Sequence, residues 1–132
     1  MIEQIDHVAI AVHNIDASLP YYTEQLGLAV IHDEEVPSAG VRMVYLAAGP
    51  ALIQLVQPIG ESPIRDFLEQ KGEGLHHLCF SVKSIPDTLA ALDGERDASI
   101  TVGGRSRRTC FLSAKPNNVT VELTEIDPYA GG

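Results

Sequence analysis

Cysteine, positive charge and long apolar runs are all scarce in this sequence, and each shortage excludes a class of protein. Only 2 of the 132 residues are cysteines, and Cys79 and Cys110 both lie inside apolar runs. We therefore expect reduced core thiols in a cytoplasmic protein and not a disulfide framework. No apolar run approaches the length that crosses a bilayer, and the N-terminus lacks the basic segment of a signal peptide.

Basic residues are half as numerous as acidic ones, with 9 Lys and Arg against 18 Asp and Glu and a net charge of −9. An acidic chain repels polyanions, so we expect neither nucleic acid nor a membrane as a partner. The positive charges are unevenly spread, because four of them crowd one region near the C-terminus: Arg105, Arg107, Arg108 and Lys115. Apolar residues make up 45% of the chain, which is enough for the core of a single domain.

The chain contains an internal repeat. Residues 5–19 (IDHVAIAVHNIDASL) align with residues 75–89 (LHHLCFSVKSIPDTL), and each copy has an alternating strand, a short turn and the start of an amphipathic helix. Three strand-like runs follow each helix, so we predict two βαβββ modules, at about 1–58 and 74–127. The predicted helices are Ala17–Leu26 in the first module, Pro86–Leu92 in the second, and a linker helix at about 62–71 with Ser62 as N-cap and Gly72 at its end.

Two adjacent histidines begin the first strand of the second module, and strand alternation assigns them to opposite faces. His77 aligns with His7, whose face carries the small residues Ala9 and Ala11 and should leave room above it. The opposite face, with Val8, Ile10 and Val12, should pack under helices. We expect His76 to be an edge residue or an outer neighbour of the site, and His13 and His32 to lie at the surface.

The last strand of each module completes the pattern. Aligning ALIQLVQ (51–57) with VTVELTE (119–125) places Gln54 opposite Glu122. Any one such residue is more often structural than a ligand, but four repeat-equivalent positions on one face predict a common cleft: His7, Gln54, His77 and Glu122. Two imidazoles, a carboxylate and an amide oxygen suit a divalent ion such as Co, Ni, Mn, Fe or Zn, with positions left open for substrate.

The segments IDHVAIAV, GLHHLCFSV and VELTE resemble the vicinal oxygen chelate superfamily, which includes glyoxalase I, extradiol dioxygenases and fosfomycin- and bleomycin-resistance proteins. Within it, the linker SPIRDFLEQKGEGLHH is similar to the methylmalonyl-CoA epimerase family. The resemblance implies an α+β fold with a curved mixed sheet around a metal-binding cleft. It also implies that His7, Gln54, His77 and Glu122 hold the ion, Co²⁺ above all, with Ni²⁺, Mn²⁺, Zn²⁺ or Fe²⁺ as alternatives.

The activity implied by the resemblance is that of an isomerase, which would epimerise methylmalonyl-CoA or a similar 2-substituted acyl-CoA. The α-proton would be removed, with Glu122 as the catalytic base, and the metal would stabilise the enolate. We expect a homodimer with a small-molecule partner. The alternatives are another metal enzyme of the superfamily, either a glyoxalase-like lyase or a dioxygenase, and a resistance protein that binds a small molecule.

Three features depart from the epimerase pattern. Met43 stands where some epimerases carry a second acid, which leaves Glu34, Glu35 or a water as the partner base. Ser113 stands where a histidine is expected, in a second half that is shorter than usual. The basic cluster of residues 105–115 either contacts the phosphates of coenzyme A or forms a solvated hairpin that balances the acidic surface.

Overall fold

The computed structural model describes residues 1–126, and this part of the chain contains eight strands and three α-helices. The first half consists of β1 (Ile2–Ala11), α1 (Ile15–Pro20), β2 (Ala29–Val36), β3 (Val41–Ala48) and β4 (Ala51–Pro58). After α2 (Pro63–Lys71), the second half consists of β5 (Gly74–Val82), α3 (Ile85–Ala91), β6 (Thr101–Val102), β7 (Arg108–Phe111) and β8 (Val121–Glu125). Both halves have the order βαβββ, so the predicted α+β class is confirmed. Asp127, which ends the predicted second module, lies outside the described residues.

Hydrogen bonds join the strands in the order β2-β3-β4-β1-β5-β8-β7-β6. The pairs β1–β4 and β5–β8 are parallel, while β2–β3, β3–β4, β6–β7 and β7–β8 are antiparallel, so the sheet is mixed as predicted. Within residues 1–126, none of the helices has the length and apolar character needed to span a bilayer.

The chain divides into two compact units that do not coincide with the sequence repeat. The first unit is His7–His76, and the second unit is Met1–Asp6 together with the described residues from His77 onward. Strands β1 and β5 each pass from one unit to the other, because the divisions fall inside them. Each unit has its own core and its own pair of predicted site residues.

In the first unit, α1 packs on one face of the sheet. Its core consists of Val12, Ile15, Val44, Leu46 and Leu55, with Ile10 packed against it. The helix begins two residues before the predicted start, because the side chain of Asn14 accepts a hydrogen bond from the N–H of Ala17 at 2.9 Å. Past Pro20, which has no N–H to donate, the chain continues as a wider π-helical turn over Tyr21–Gln25.

The opposite face of the same sheet is buried too, which corrects the expectation of open room above it. His7 is 2% exposed, and Ala9 and Ala11 are completely buried. At one end of this face, α2 covers Ala11 with Ile64 and Leu68. Small side chains on β1 therefore admit close packing by other residues of the protein.

Helix α2 stands where the linker helix was predicted. Ser62 accepts a hydrogen bond from the N–H of Arg65 at 3.1 Å, and Pro63 occupies the first helical position. The helix ends at Gly72, where the backbone has a φ of 80° that glycine adopts without strain.

The second unit has a core of Val82, Ile85, Leu89, Cys110 and Leu123 beneath α3. Ser84 caps that helix, since its side chain accepts from the N–H of Asp87 at 3.2 Å. The strands β6 and β7 are short, with two and four residues. Between them, Arg105 and Ser106 have φ angles of 60° and 56°, and this left-handed turn ends the strand pairing on both sides.

Candidate metal centre

The first unit holds His7 and Gln54 on one face of its sheet. Strands β1 and β4 are parallel with Ala9 opposite Gln54, and His7 lies two residues before Ala9, so both side chains point to the same side. Each residue is 2% exposed. The amide nitrogen of Gln54 donates to the hydroxyl of Tyr45 at 2.8 Å. Its Oε1 atom finds no hydrogen-bond partner among residues 1–126.

The second unit holds His77 and Glu122 in direct contact. Strands β5 and β8 are parallel with Cys79 opposite Glu122, and His77 lies two residues before Cys79. Both residues are 8% exposed, and His77 Nε2 lies 3.1 Å from Glu122 Oε1. The ring of Phe111 meets that of His77 edge-on at 5.1 Å between centroids. The two atoms are within hydrogen-bond distance, and an imidazole nitrogen and a carboxylate oxygen are ligand types that first-row divalent metals accept.

The two adjacent histidines separate as strand alternation predicts. His77 joins Glu122, whereas His76 lies half-buried against α2, with its ring edge-on to Phe67 at 4.9 Å. His13 is exposed as expected. His32 also reaches the surface as expected, because its side chain is 40% exposed.

Tyr45 is the main residue near the candidate site that the sequence analysis did not identify. It also contacts His32. Its ring, 2% exposed, lies edge-on to His7 with centroids 5.6 Å apart and 6.0 Å from the ring of His32. Across the β3–β4 ladder it pairs directly with Gln54, and across β2–β3 with His32. A strand register was needed to find it, since nothing in the local sequence relates Tyr45 to Gln54.

The two cysteine side chains pack in the interior and do not serve as nucleophiles. Burial, together with the nearby Glu122 carboxylate, raises the pKa of the Cys79 thiol far above its usual range. Burial also raises the pKa of Cys110, to about 11. Both side chains therefore stay protonated near neutral pH, in agreement with the prediction of reduced core cysteines.

The basic cluster near the C-terminus is engaged in ion pairs. Arg105 and Arg107 both donate to Asp6, which is 5% exposed. Arg108 donates to Glu125 through two nitrogens at 2.6 Å each, and this hydrogen bonding lowers the pKa of the Glu125 carboxyl. The expectation of a solvated hairpin is wrong for Arg105 and Arg107, whose side chains are only 15% and 20% exposed.

Ser113 has a defined role in the second unit. The buried carboxylate of Glu95 accepts hydrogen bonds from the Ser113 N–H at 2.6 Å, from its hydroxyl at 2.8 Å and from the Ala114 N–H at 3.3 Å. Burial opposes ionisation of Glu95, but these donors outweigh it and hold the pKa of this carboxyl below its ordinary value. Glu95 thus ties the chain after β7 to the loop after α3.

Comparison with known proteins assigns the family. Residues 6–111 match the model of the Glyoxalase/Bleomycin resistance protein/Dioxygenase superfamily, and the chain belongs to this family. The resemblance noted in the sequence is thereby confirmed.

Individual relatives are more specific. The ethylmalonyl-CoA/methylmalonyl-CoA epimerase of Cereibacter sphaeroides is 34% identical, over 96% of this chain and 100% of that protein. The uncharacterized protein YqjC of Bacillus subtilis is also 34% identical, over 92% of this chain and 91% of the relative. A Streptomyces coelicolor methylmalonyl-CoA epimerase variant, solved in complex with 2-nitronate-propionyl-CoA, superimposes with a TM-score of 0.87 at 27% identity, covering 97% of both chains. These similarities confirm the prediction of an epimerase-like enzyme.

Proposed function

We propose that the protein is a divalent-metal-dependent epimerase of methylmalonyl-CoA or a similar 2-substituted acyl-CoA. The similarity to epimerases over almost the whole chain supports the reaction. The observation that carries the metal is the buried Oε1 atom of Gln54, an acceptor with no hydrogen-bond partner among residues 1–126. An unsatisfied buried oxygen costs free energy, and a cation ligated by that oxygen would offset the cost.

The proposed ligands are His7 and Gln54 from the first unit with His77 and Glu122 from the second. Their chemistry fits a first-row divalent ion, because imidazole nitrogens and carboxylate or amide oxygens suit Co²⁺, Ni²⁺, Mn²⁺, Zn²⁺ and Fe²⁺. When bound, such an ion supplies a Lewis acid for the negative charge that develops on the thioester oxygen. Of these ions we propose Co²⁺ first, on the family resemblance.

Glu122 is the proposed first base. Its carboxylate takes the proton from the substrate α-carbon, the electron pair of the C–H bond passes into the enolate, and the protonated carboxyl holds the proton for return or exchange with solvent. The buried imidazole of His77 at 3.1 Å keeps the carboxylate in a defined position.

Glu34 is the proposed second proton-transfer group. In the β2–β3 ladder Glu34 lies directly opposite Met43, and directly paired side chains share a face, so Glu34 shares the face of Tyr45 and Gln54. Glu35 pairs instead with Arg42 on the opposite face. Strand register therefore favours Glu34 over Glu35 as the acid that delivers a proton to the enolate from the other side.

Coenzyme A and a second copy of the chain are the proposed partners. Because Arg105, Arg107 and Arg108 already have carboxylate partners, the exposed Lys115 is the member of the basic cluster that we propose for a phosphate contact. The homodimer implied by the resemblance would be tested by sedimentation equilibrium.

The test follows the α-proton in D₂O. Single stereoisomers of methylmalonyl-CoA and ethylmalonyl-CoA are supplied to the Co²⁺-loaded protein, and both deuterium incorporation and inversion are measured. Glu34→Gln should still exchange the proton of the stereoisomer that Glu122 serves, yet should not invert it, because the opposite face has lost its donor. Glu35→Gln is the matched control and should behave as the wild type.

Three outcomes would contradict the proposal. Undiminished exchange in Glu122→Gln, with the stereoisomer that Glu122 serves, would remove Glu122 as the base, and the metal content of this variant is measured alongside to separate a base from a ligand. Inversion at an unchanged rate in Glu34→Gln would remove Glu34 from the mechanism. Turnover of the methylglyoxal–glutathione hemithioacetal, with no exchange in either acyl-CoA, would make the protein a glyoxalase-like lyase.

A further inference from the structure

The side-chain amide of Gln54 is held by two neighbours on β3. Its Nε2 atom lies 2.8 Å from the hydroxyl oxygen of Tyr45 and 3.5 Å from the sulfur of Met43. The hydroxyl of Tyr45 also lies 3.6 Å from that sulfur. All three side chains share one face, because Tyr45 pairs directly with Gln54 and Met43 lies two residues before Tyr45.

These neighbours select one of the two amide orientations. A thioether sulfur only accepts hydrogen bonds, so the amide NH₂ suits the side that faces Met43 and a carbonyl oxygen does not. With the sulfur and the hydroxyl oxygen both available as acceptors, the NH₂ group is satisfied on this side. The Oε1 atom is therefore turned away from Met43 and Tyr45, and it is left without a partner among residues 1–126.

The side chain of Tyr45 is held in place by its own neighbours. It is 2% exposed, and the rings of His7 and His32 pack against its ring. A buried aromatic ring with two ring neighbours has little freedom to rotate its hydroxyl away from Gln54.

We infer that Tyr45, assisted by Met43, is a positioning residue for a cation site: it binds the amide NH₂ of Gln54 so that Oε1 is presented to a divalent cation. This inference rests on the proposed metal site and names the residues that orient one of its ligands. It also gives Met43 a function of its own at the position where an acid was expected. Outer neighbours that orient a ligand change metal affinity by about 10–100-fold when removed.

A double-mutant cycle on Co²⁺ affinity tests the inference. The four proteins are the wild type, Tyr45→Phe, Gln54→Glu and the double variant, each titrated with Co²⁺ in a calorimeter. Tyr45→Phe should weaken binding about 10–100-fold in the wild-type background, because the amide NH₂ loses the nearer of its two acceptors and keeps only the more distant sulfur. In the Gln54→Glu background it should weaken binding no more than about twofold, the scatter of independent changes. A carboxylate needs no such orientation, since its two oxygens are equivalent.

The visible absorption of the Co²⁺-loaded proteins is a second readout, because it reports the ligands and not the stability of the fold. Thermal unfolding of the metal-free variants by circular dichroism checks that each one folds. Should Tyr45→Phe fail to fold, Met43→Leu replaces it in the same cycle, since leucine has nearly the volume of methionine without the sulfur.

Equal losses of affinity in both backgrounds would overturn the inference, because Tyr45 would then act on the fold and not on the amide. No loss in either background would overturn it as well. A different result bears on the proposed function: if the wild type binds no Co²⁺, or if Gln54→Ala binds it as tightly as the wild type, Gln54 is not a ligand. In that case both the ligand assignment and the role of Tyr45 fall together.

Discussion

Replacing Asp6 by asparagine tests the buried ion pairs that take up two of the basic residues. Asp6 is 5% exposed and accepts from Arg105 and Arg107. At the 3.2 Å between Arg107 and Asp6, the attraction is about 5 kcal/mol for an effective dielectric constant of about 20. Breaking a buried pair on one side costs about 3–5 kcal/mol, because the remaining charge stays buried without its partner. Since the arginines keep some contact with water, we expect the lower end, about 3 kcal/mol.

The free energy of unfolding would be measured in urea, and a loss of this size corresponds to a fall in Tm of roughly 10 °C for a chain of this length. Asp97→Asn is the control, because it removes the same charge from an exposed position and should change stability by less than about 0.5 kcal/mol. A loss below about 1 kcal/mol in Asp6→Asn would refute the reasoning, since that is the range of exposed ion pairs. The reasoning would also be refuted if the loss of unfolding free energy in Asp6→Asn disappeared in concentrated salt, because salt screens surface charges far more than buried ones.

Two further predictions concern the histidine pair and Glu95. His77→Ala should lose Co²⁺ as measured by elemental analysis of the folded protein, whereas His76→Ala should keep it; the reverse result would mean that the β5 register is off by one. Glu95→Gln should lower the free energy of unfolding by about 1.5–3 kcal/mol at neutral pH, because hydrogen bonds from Ser113 to a charged acceptor are lost. The folded-state pKa of Glu95 is below its ordinary value of 4.5. The ionised Glu95 carboxylate therefore stabilises the folded protein above pH 4.5, and this contribution to the free energy of unfolding is lost as the pH falls through the lowered pKa. Urea denaturation should therefore show variant and wild type converging in acid, and a constant difference at every pH would contradict the assignment.

Much of the fold follows from the sequence, because its strands and caps carry strong local signals. The period of two fixes which of His76 and His77 faces which side, and the internal repeat relates Gln54 to Glu122 without any structure. Ser62, followed by a proline, fixes the start of α2 in the same way. These predictions depend on neighbours along the chain or on a repeat of the chain itself.

What the sequence did not predict depends on contacts between distant residues. Asp6 and Arg105 are 99 positions apart, and Glu95 and Ser113 are 18 apart. The left-handed positions in the turn after β6 are taken by Arg105 and Ser106, whereas the sequence places its glycines just before them, at Gly103 and Gly104. Tyr45 belongs to the same class, because its relation to Gln54 exists only once the β3–β4 register is known.

The absence of an acid at Met43 is best understood through strand pairing. Side chains directly opposite in an antiparallel ladder share a face with their Cβ atoms about 4.5–5.5 Å apart, and Glu34 is the residue opposite Met43. A carboxylate on β2 therefore stays on the face where a carboxylate on β3 would have been. The β3 position is then open to a sulfur, which accepts from the Gln54 amide as a carboxylate would, but adds no charge beside a proposed metal ligand. If Glu34 and Tyr45 have the functions proposed for them, two adjacent strands divide the work at this position. Glu34 on β2 transfers the proton, and Tyr45 with Met43 on β3 orients the metal ligand Gln54.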